Sequence, residues 1–156
     1  MKVHPEILTG QGLPPELTED KNFWDKRYRS ITDLEKHLHR NGTRVLKFFL
    51  HLSKEEQRRR FLKRLDDPAR NWKFSQFDLV ERGFWKEYRQ AYEDCLTATS
   101  TESSPWFVVP ADDKLNARLI ISQAVCEALK DLKLEYPQPY PKRLLELKKL
   151  RRQLAK

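Results

Sequence analysis

A run of apolar residues, Val45, Leu46, Phe48, Phe49 and Leu50, gives way within three positions to Ser53-Lys-Glu-Glu56. The chain then turns cationic, with Arg58, Arg59, Arg60, Lys63 and Arg64. Because the apolar residues are nearly consecutive instead of alternating, Thr43–Leu52 reads as a strand covered on both faces, and such strands belong to parallel sheets. Ser53 and Glu56 have the spacing of a capping box, in which hydroxyl and carboxylate satisfy each other's amides at a helix start. The helix that follows runs to about Leu65, with Arg60 and Arg64 on one face and Phe61 and Leu65 on the apolar side. Asp66-Asp67-Pro68 stops it, since the residue before proline avoids helical geometry. A buried strand feeding a guanidinium-bearing helix restricts the chain to α/β arrangements.

The flanking segments continue that alternation. Met1–Asp20, with Pro5, Pro14 and Pro15, reads as irregular entry chain. Asn22–Arg40 places Phe23, Trp24, Tyr28, Ile31, Leu34 and Leu38 at helical steps, and Asn41-Gly42 closes it with a left-handed cap signal. Ser75 or Asp78 opens a second long helix to about Thr99, carrying Leu79, Phe84, Trp85, Tyr88, Tyr92 and Leu96. Trp106–Val109 is a short strand, and Lys114–Leu134 a helix expected to turn Leu115, Leu119, Val125 and Leu129 inward. Tyr136–Pro141 is a stiff spacer and Lys142–Lys156 a basic helix.

At 156 residues, 38% apolar and 35% charged, the chain supports one domain with a modest core. No apolar run reaches the ~20 residues of a membrane span, and the N-terminal residues lack a signal-peptide core, so no membrane partner and a cytoplasmic location are expected. Cys95 and Cys126 have no paired spacing and read as buried structural thiols. The net charge of +8 is concentrated: Lys54–Lys73 carries +4 and Lys142–Lys156 +6, leaving −2 for the remainder. A basic stripe and a basic tail on a slightly acidic body point to a polyanionic ligand held at definite places. His37 and His39 point different ways on their helix, and no metal site is expected. Gly10, Gly12, Gly42 and Gly83 are the only glycines, and none is followed by lysine. The glycine-rich phosphate loop ending in Gly-Lys-Ser/Thr is therefore absent.

The succession of strand, His51-Leu-Ser-Lys-Glu-Glu-Gln57, arginine helix, Leu65-Asp-Asp-Pro-Ala-Arg-Asn-Trp-Lys-Phe-Ser75, aromatic helix and Thr99–Lys114 resembles the C-terminal half of the polyphosphate kinase 2 family, over roughly residues 3–137. The resemblance implies an α/β fold, a partial P-loop-kinase-like three-layer α/β/α arrangement with few parallel strands and a helical lid at about 53–80. Residues 138–156 would form a separate basic tail. It also implies phosphoryl transfer between inorganic polyphosphate and nucleoside mono- or diphosphates, with Mg2+ as cofactor. Arg60, Arg64, Arg70 and Lys73 match the lid region that meets the phosphates, a task suited to guanidinium forks. Asp66 and Asp67 match an acidic pair there, expected to orient those arginines or meet metal-bound water. Trp72, Asp112, Asp113 and Lys114 are weaker nucleotide-binding candidates.

The family's phosphate loop and the aspartate-arginine motif after its next strand would lie N-terminal to this chain, and the first-shell magnesium ligands with them. The chain is accordingly expected to supply the lid-bearing half of the site and to be inactive alone. A separate P-loop half or a homo-oligomer is the expected partner. The alternative is a non-catalytic module holding polyphosphate or RNA, or a gene remnant.

Overall fold

In a computed structural model describing residues 2–155, β1 (Lys47–His51) pairs in parallel with β2 (Trp106–Pro110). Lys47 lies opposite Trp106 and His51 opposite Pro110. The connection between them contains α3 (Lys54–Leu65), a 3-10 turn at Asn71–Lys73, α4 (Gln76–Gly83) and α5 (Trp85–Thr99). A 3-10 helix at Pro5–Gln11, the single turn α1 (Pro15–Thr18) and α2 (Phe23–Arg40) precede β1, and α6 (Lys114–Asp131) and α7 (Pro141–Leu154) follow β2. The chain divides into two compact units, Met1–Val125 and Cys126–Lys156, with the divide inside α6. This is the α/β class with few parallel strands that the sequence implies.

Alternation along the strands assigns the two faces. Phe48 and Phe107 stack at 5.3 Å on one face, while Phe49 meets Tyr92 of α5 at 4.8 Å on the other. Also on the α5 side, Lys47 is the centre of a buried polar cluster. Its ammonium donates to Glu35 Oε2 at 2.7 Å and to the Thr99 carbonyl at 2.6 Å, and lies 5.4 Å from the Trp106 ring. Trp106 Nε1–H donates to the Thr99 hydroxyl at 2.9 Å, which in turn donates to the Cys95 carbonyl. Four elements are thus pinned by one satisfied network, the condition under which buried polar groups specify a unique packing.

The structure corrects several expectations. The strand is five residues rather than ten and is not covered on both faces: Leu50 is 53% exposed. A two-stranded sheet leaves one edge of β1 unpaired and offers too little surface to be sandwiched. On α2 the expected stripe holds in part: Phe23, Trp24, Tyr28 and Leu38 are half-buried, but Ile31 and Leu34 are exposed while Thr32 and Glu35 are buried, Glu35 pairing with Lys47. Leu115, Leu119, Val125 and Leu129 of α6 are exposed, and only Ala117 of that helix is buried. Cys95 is half-buried, but Cys126 is exposed. Among the described residues Val109, Ala111 and Ala117 are the buried apolar ones.

The expected helix from Ser75 to Thr99 is broken in two at Gly83-Phe84. Gly83 has the weakest helix propensity of any residue but proline, and Phe84 is held edge-on to His4 with ring centroids 4.9 Å apart. Glu81 spans the break, accepting from the Tyr88 hydroxyl at 2.5 Å and from His4 Nε2–H at 2.9 Å. At Asn41-Gly42 the left-handed residue is Gly42, with φ +84°, and the Thr43 N–H returns to the Leu38 carbonyl, as the cap signal requires. No helix of the described residues is long and apolar enough to cross a membrane.

Candidate functional site

Glu56, Arg59, Arg60 and Lys63 recur at helical steps and so share one face of α3. That face looks across a cleft of about 510 Å³ to Asp112, Asp113 and Lys114, at the turn from β2 into α6. The helix is aimed there by its own cap. The Ser53 hydroxyl accepts the Glu56 N–H at 3.1 Å, as a capping box demands. The return bond is not made by Glu56: the Ser53 N–H donates instead to Asp112 Oδ1 at 2.8 Å, 59 positions on. A local motif expected from spacing is thus completed by a tertiary one, and the start of α3 is bolted to the end of β2.

Glu56 is diverted because it takes Arg59 Nε at 2.5 Å and Arg60 Nε at 2.7 Å. These two guanidiniums pull its carboxyl down to about 2. Arg60 reaches further, its Nη2 donating to the carbonyls of Ala111 at 2.6 Å and Asp112 at 3.2 Å. Asp112 is held below the usual carboxylate range by the bonds from Ser53. Asp113 accepts the Leu115 and Asn116 N–H groups and so caps α6. From α4, Arg82 Nη1 donates to the Lys54 carbonyl and to Gln57, both at 2.7 Å, tying that helix to the start of α3.

The candidates sort accordingly. Arg60, Asp112, Asp113 and Lys114 come together at the cleft, but Arg60 is engaged as a strut and both aspartates accept backbone amides. Arg64 does not line the cleft, and its guanidinium lies 5.8 Å from the Phe61 ring. Arg70, Trp72 and Lys73 occupy the loop after α3. There Asp67 accepts the Ala69 N–H and pairs with Arg70 Nε at 3.2 Å. Asp66 is the C-cap of α3 and is exposed. Trp72 is 73% exposed, its indole N–H on the Ala69 carbonyl and Lys73 Nζ 5.1 Å from its ring.

Arg59 and Lys63, which belong to the cationic run read from the sequence but not to its named phosphate ligands, also line the cleft. Arg59 uses Nε on Glu56 and its side chain is 72% exposed, so its outer N–H groups face the cleft mouth. The i, i+3, i+4, i+7 spacing of Glu56, Arg59, Arg60 and Lys63 is the signal that would have found them. Arg59, Lys63 and Lys114 give the cleft three cations at its open side. Such a set suits phosphate oxygens, with guanidinium as the fork and lysine as the point charge. Both oxygens of Glu56 are taken by Arg59 and Arg60, and Oδ1 of Asp112 and of Asp113 accepts backbone amides. Among the described residues no group of three or more His, Cys, Asp or Glu side chains is placed to hold a metal.

The model of the family described as Polyphosphate kinase 2 matches residues 16–137. The chain belongs to the polyphosphate kinase 2 family. An ADP-polyphosphate phosphotransferase of Rhodopseudomonas palustris is 57% identical over all 156 residues, which correspond to 54% of that protein. An AMP/ADP-polyphosphate phosphotransferase of Meiothermus ruber is 47% identical over 119 residues, 76% of this chain and 45% of its own length. The crystal structure of Polyphosphate Kinase 2 from Arthrobacter aurescens TC1 superposes with a TM-score of 0.75 at 40% identity, covering 83% of this chain and 48% of that one. The chain thus spans about half the length of these three proteins, and the cleft lies wholly inside the family match.

Proposed function

We propose that this chain is the lid-bearing half of a polyphosphate kinase 2 site, contributing to phosphoryl transfer between inorganic polyphosphate and nucleoside mono- or diphosphates. The observation that carries this reading is the cleft in which Arg59, Lys63 and Lys114 stand at the open side while Arg60 fixes the wall behind them. Phosphoryl transfer depends mainly on positioning and on neutralising charge on non-bridging oxygens, and preplaced cations supply both. Arg70 and Lys73, on the loop after α3, would add charge to the same phosphates when the lid is engaged. Magnesium supplies charge neutralisation between phosphates in such reactions, and in this reading its ligands come from elsewhere.

Activity requires a glycine-rich phosphate loop, which these 156 residues do not contain. The exposed stripe of Ile31, Leu34 and the unpaired edge of β1 are the surfaces that a half bearing such a loop would cover. The assay is phosphoryl transfer from polyphosphate to AMP, ADP, GMP and GDP with magnesium, by the chain alone and mixed with a P-loop half from a related enzyme. Turnover only in the mixture, reduced by Arg59→Ala, is the expected result. Robust turnover by the chain alone overturns the half-site reading. Silence in both, with polyphosphate binding retained, leaves a non-catalytic polyanion-binding module.

A further inference from the structure

The helix α7 lies beyond residue 137, outside the family match, and makes no part of the cleft. It is nevertheless matched in the Rhodopseudomonas palustris protein, whose alignment covers the whole chain. Every residue of α7 is exposed. Within Pro141–Leu154 it carries Lys142, Arg143, Lys148, Lys149, Arg151 and Arg152 against the single acid Glu146. Among the described residues its one ion pair is Arg143–Glu146 at 3.1 Å, so five cations are left without a carboxylate. Helix-dipole compensation accounts for Arg151 and Arg152 in the last turn. It cannot account for Lys142 and Arg143, which sit in a first turn without any acid, where the dipole already presents positive charge. A helix built this way repels itself at one end and is relieved by an anion along its length.

The composition of α7 narrows the anion. It contains no Phe, Tyr, Trp or His to stack on bases or to anchor in a lipid interface, and Arg151 falls among the leucines at 144, 147 and 150 instead of opposite them. Charge without stacking platforms suits a flexible chain of phosphates that has no bases. We propose that α7 is a second binding site for linear inorganic polyphosphate, separate from the lid cleft, which holds the polymer through side-chain ammonium and guanidinium groups. The site requires only that polyphosphate is a ligand. It does not depend on whether the cleft becomes catalytic.

The test compares the full chain with the exposed quadruple variant Lys148→Gln, Lys149→Gln, Arg151→Gln, Arg152→Gln, in which glutamine keeps the helix propensity. Binding of labelled long-chain polyphosphate and of tripolyphosphate is measured across a salt series. The variant is expected to bind the long polymer about tenfold more weakly or worse, with a log–log salt slope shallower by about 3, four contacts at ~0.7 each. Tripolyphosphate binding, which Arg59→Gln reduces, should be unchanged in the quadruple variant. Long-polymer affinity and slope equal to the parent chain would overturn the proposal. So would single-stranded RNA binding more tightly than polyphosphate, with loss in Tyr136→Ala/Tyr140→Ala. Phosphatidylserine vesicles binding through the same four residues, with polyphosphate unaffected, would overturn it in favour of a membrane surface.

Discussion

Arg60 Nη2 donates to the carbonyl oxygen of Ala111 at 2.6 Å, across 51 positions of chain, and this bond joins α3 to the turn that leaves β2. The arginine that sequence pattern singles out as a phosphate ligand is therefore first a strut, and its neighbour Arg59 is the one turned to the cleft mouth. The two can be separated by substitution.

Arg60→Ala removes a charged donor from a backbone acceptor and should lower stability by about 1–3 kcal/mol in urea denaturation. Arg59→Ala, at an exposed position, should change stability by no more than ~0.5 kcal/mol while weakening tripolyphosphate binding. Equal effects of the two on stability would remove the distinction.

The Lys47–Glu35 pair, 2.7 Å apart and about nine-tenths buried on both sides, should respond asymmetrically. Glu35→Gln or Lys47→Met alone leaves a buried charge without its counterion and should cost about 3–5 kcal/mol. The double variant Glu35→Leu/Lys47→Met should recover much of that loss. A double-mutant cycle in denaturant measures the coupling, and strict additivity would show that the pair does not act as a unit.

His4 lies between Glu6 and Glu81, beside Phe84 and Tyr88, and its pKa is raised chiefly by the bond to Glu81. Glu81 is lowered, chiefly by the Tyr88 hydroxyl and then by His4, and Tyr88 is pushed up to about 12. The raised histidine contributes stability that is complete below its ordinary value of 6.5 and is lost as pH rises through the shifted one. The lowered carboxylate contributes above its ordinary 4.5 and is lost as pH falls through its own shifted value. The N-terminal segment should thus be held most firmly between about pH 4.5 and about pH 6.5. An NMR titration should find the His4 imidazole above 6.5 in the parent chain and back near it in Glu81→Gln. An unshifted His4 in the parent would exclude the network.

Leu34, 59% exposed on α2, lies on the stripe assigned to a complementing half. Leu34→Lys should leave the stability of the isolated chain within about 0.5 kcal/mol. It should abolish activation by a P-loop half in the mixing assay. Unimpaired complementation would move the interface elsewhere.

Much of the local architecture is legible in the residues. The bounds of α2, the start of α3 at Ser53 and its stop before Pro68, the left-handed turn at Gly42 and the short strand at Trp106 all follow from spacing, caps and breakers. The break at Gly83-Phe84 is not, because Phe84 leaves the helix to meet His4, a residue about 80 positions earlier. Nor is the exposure of Ile31, Leu34, Leu115 and Leu119, since hydrophobic periodicity predicts a face that needs cover without saying whether the cover is present.

The sequence by itself determined that this chain alternates strands with helices, lacks a glycine-rich phosphate loop and concentrates positive charge in the helix after β1 and in a tail, because these depend on residue type and spacing alone. Only the tertiary structure decided which cations are free to meet a ligand. Ser53 reaches Asp112, and Arg60 reaches Ala111, only after β1 and β2 have paired and brought positions more than fifty apart in sequence within hydrogen-bond distance.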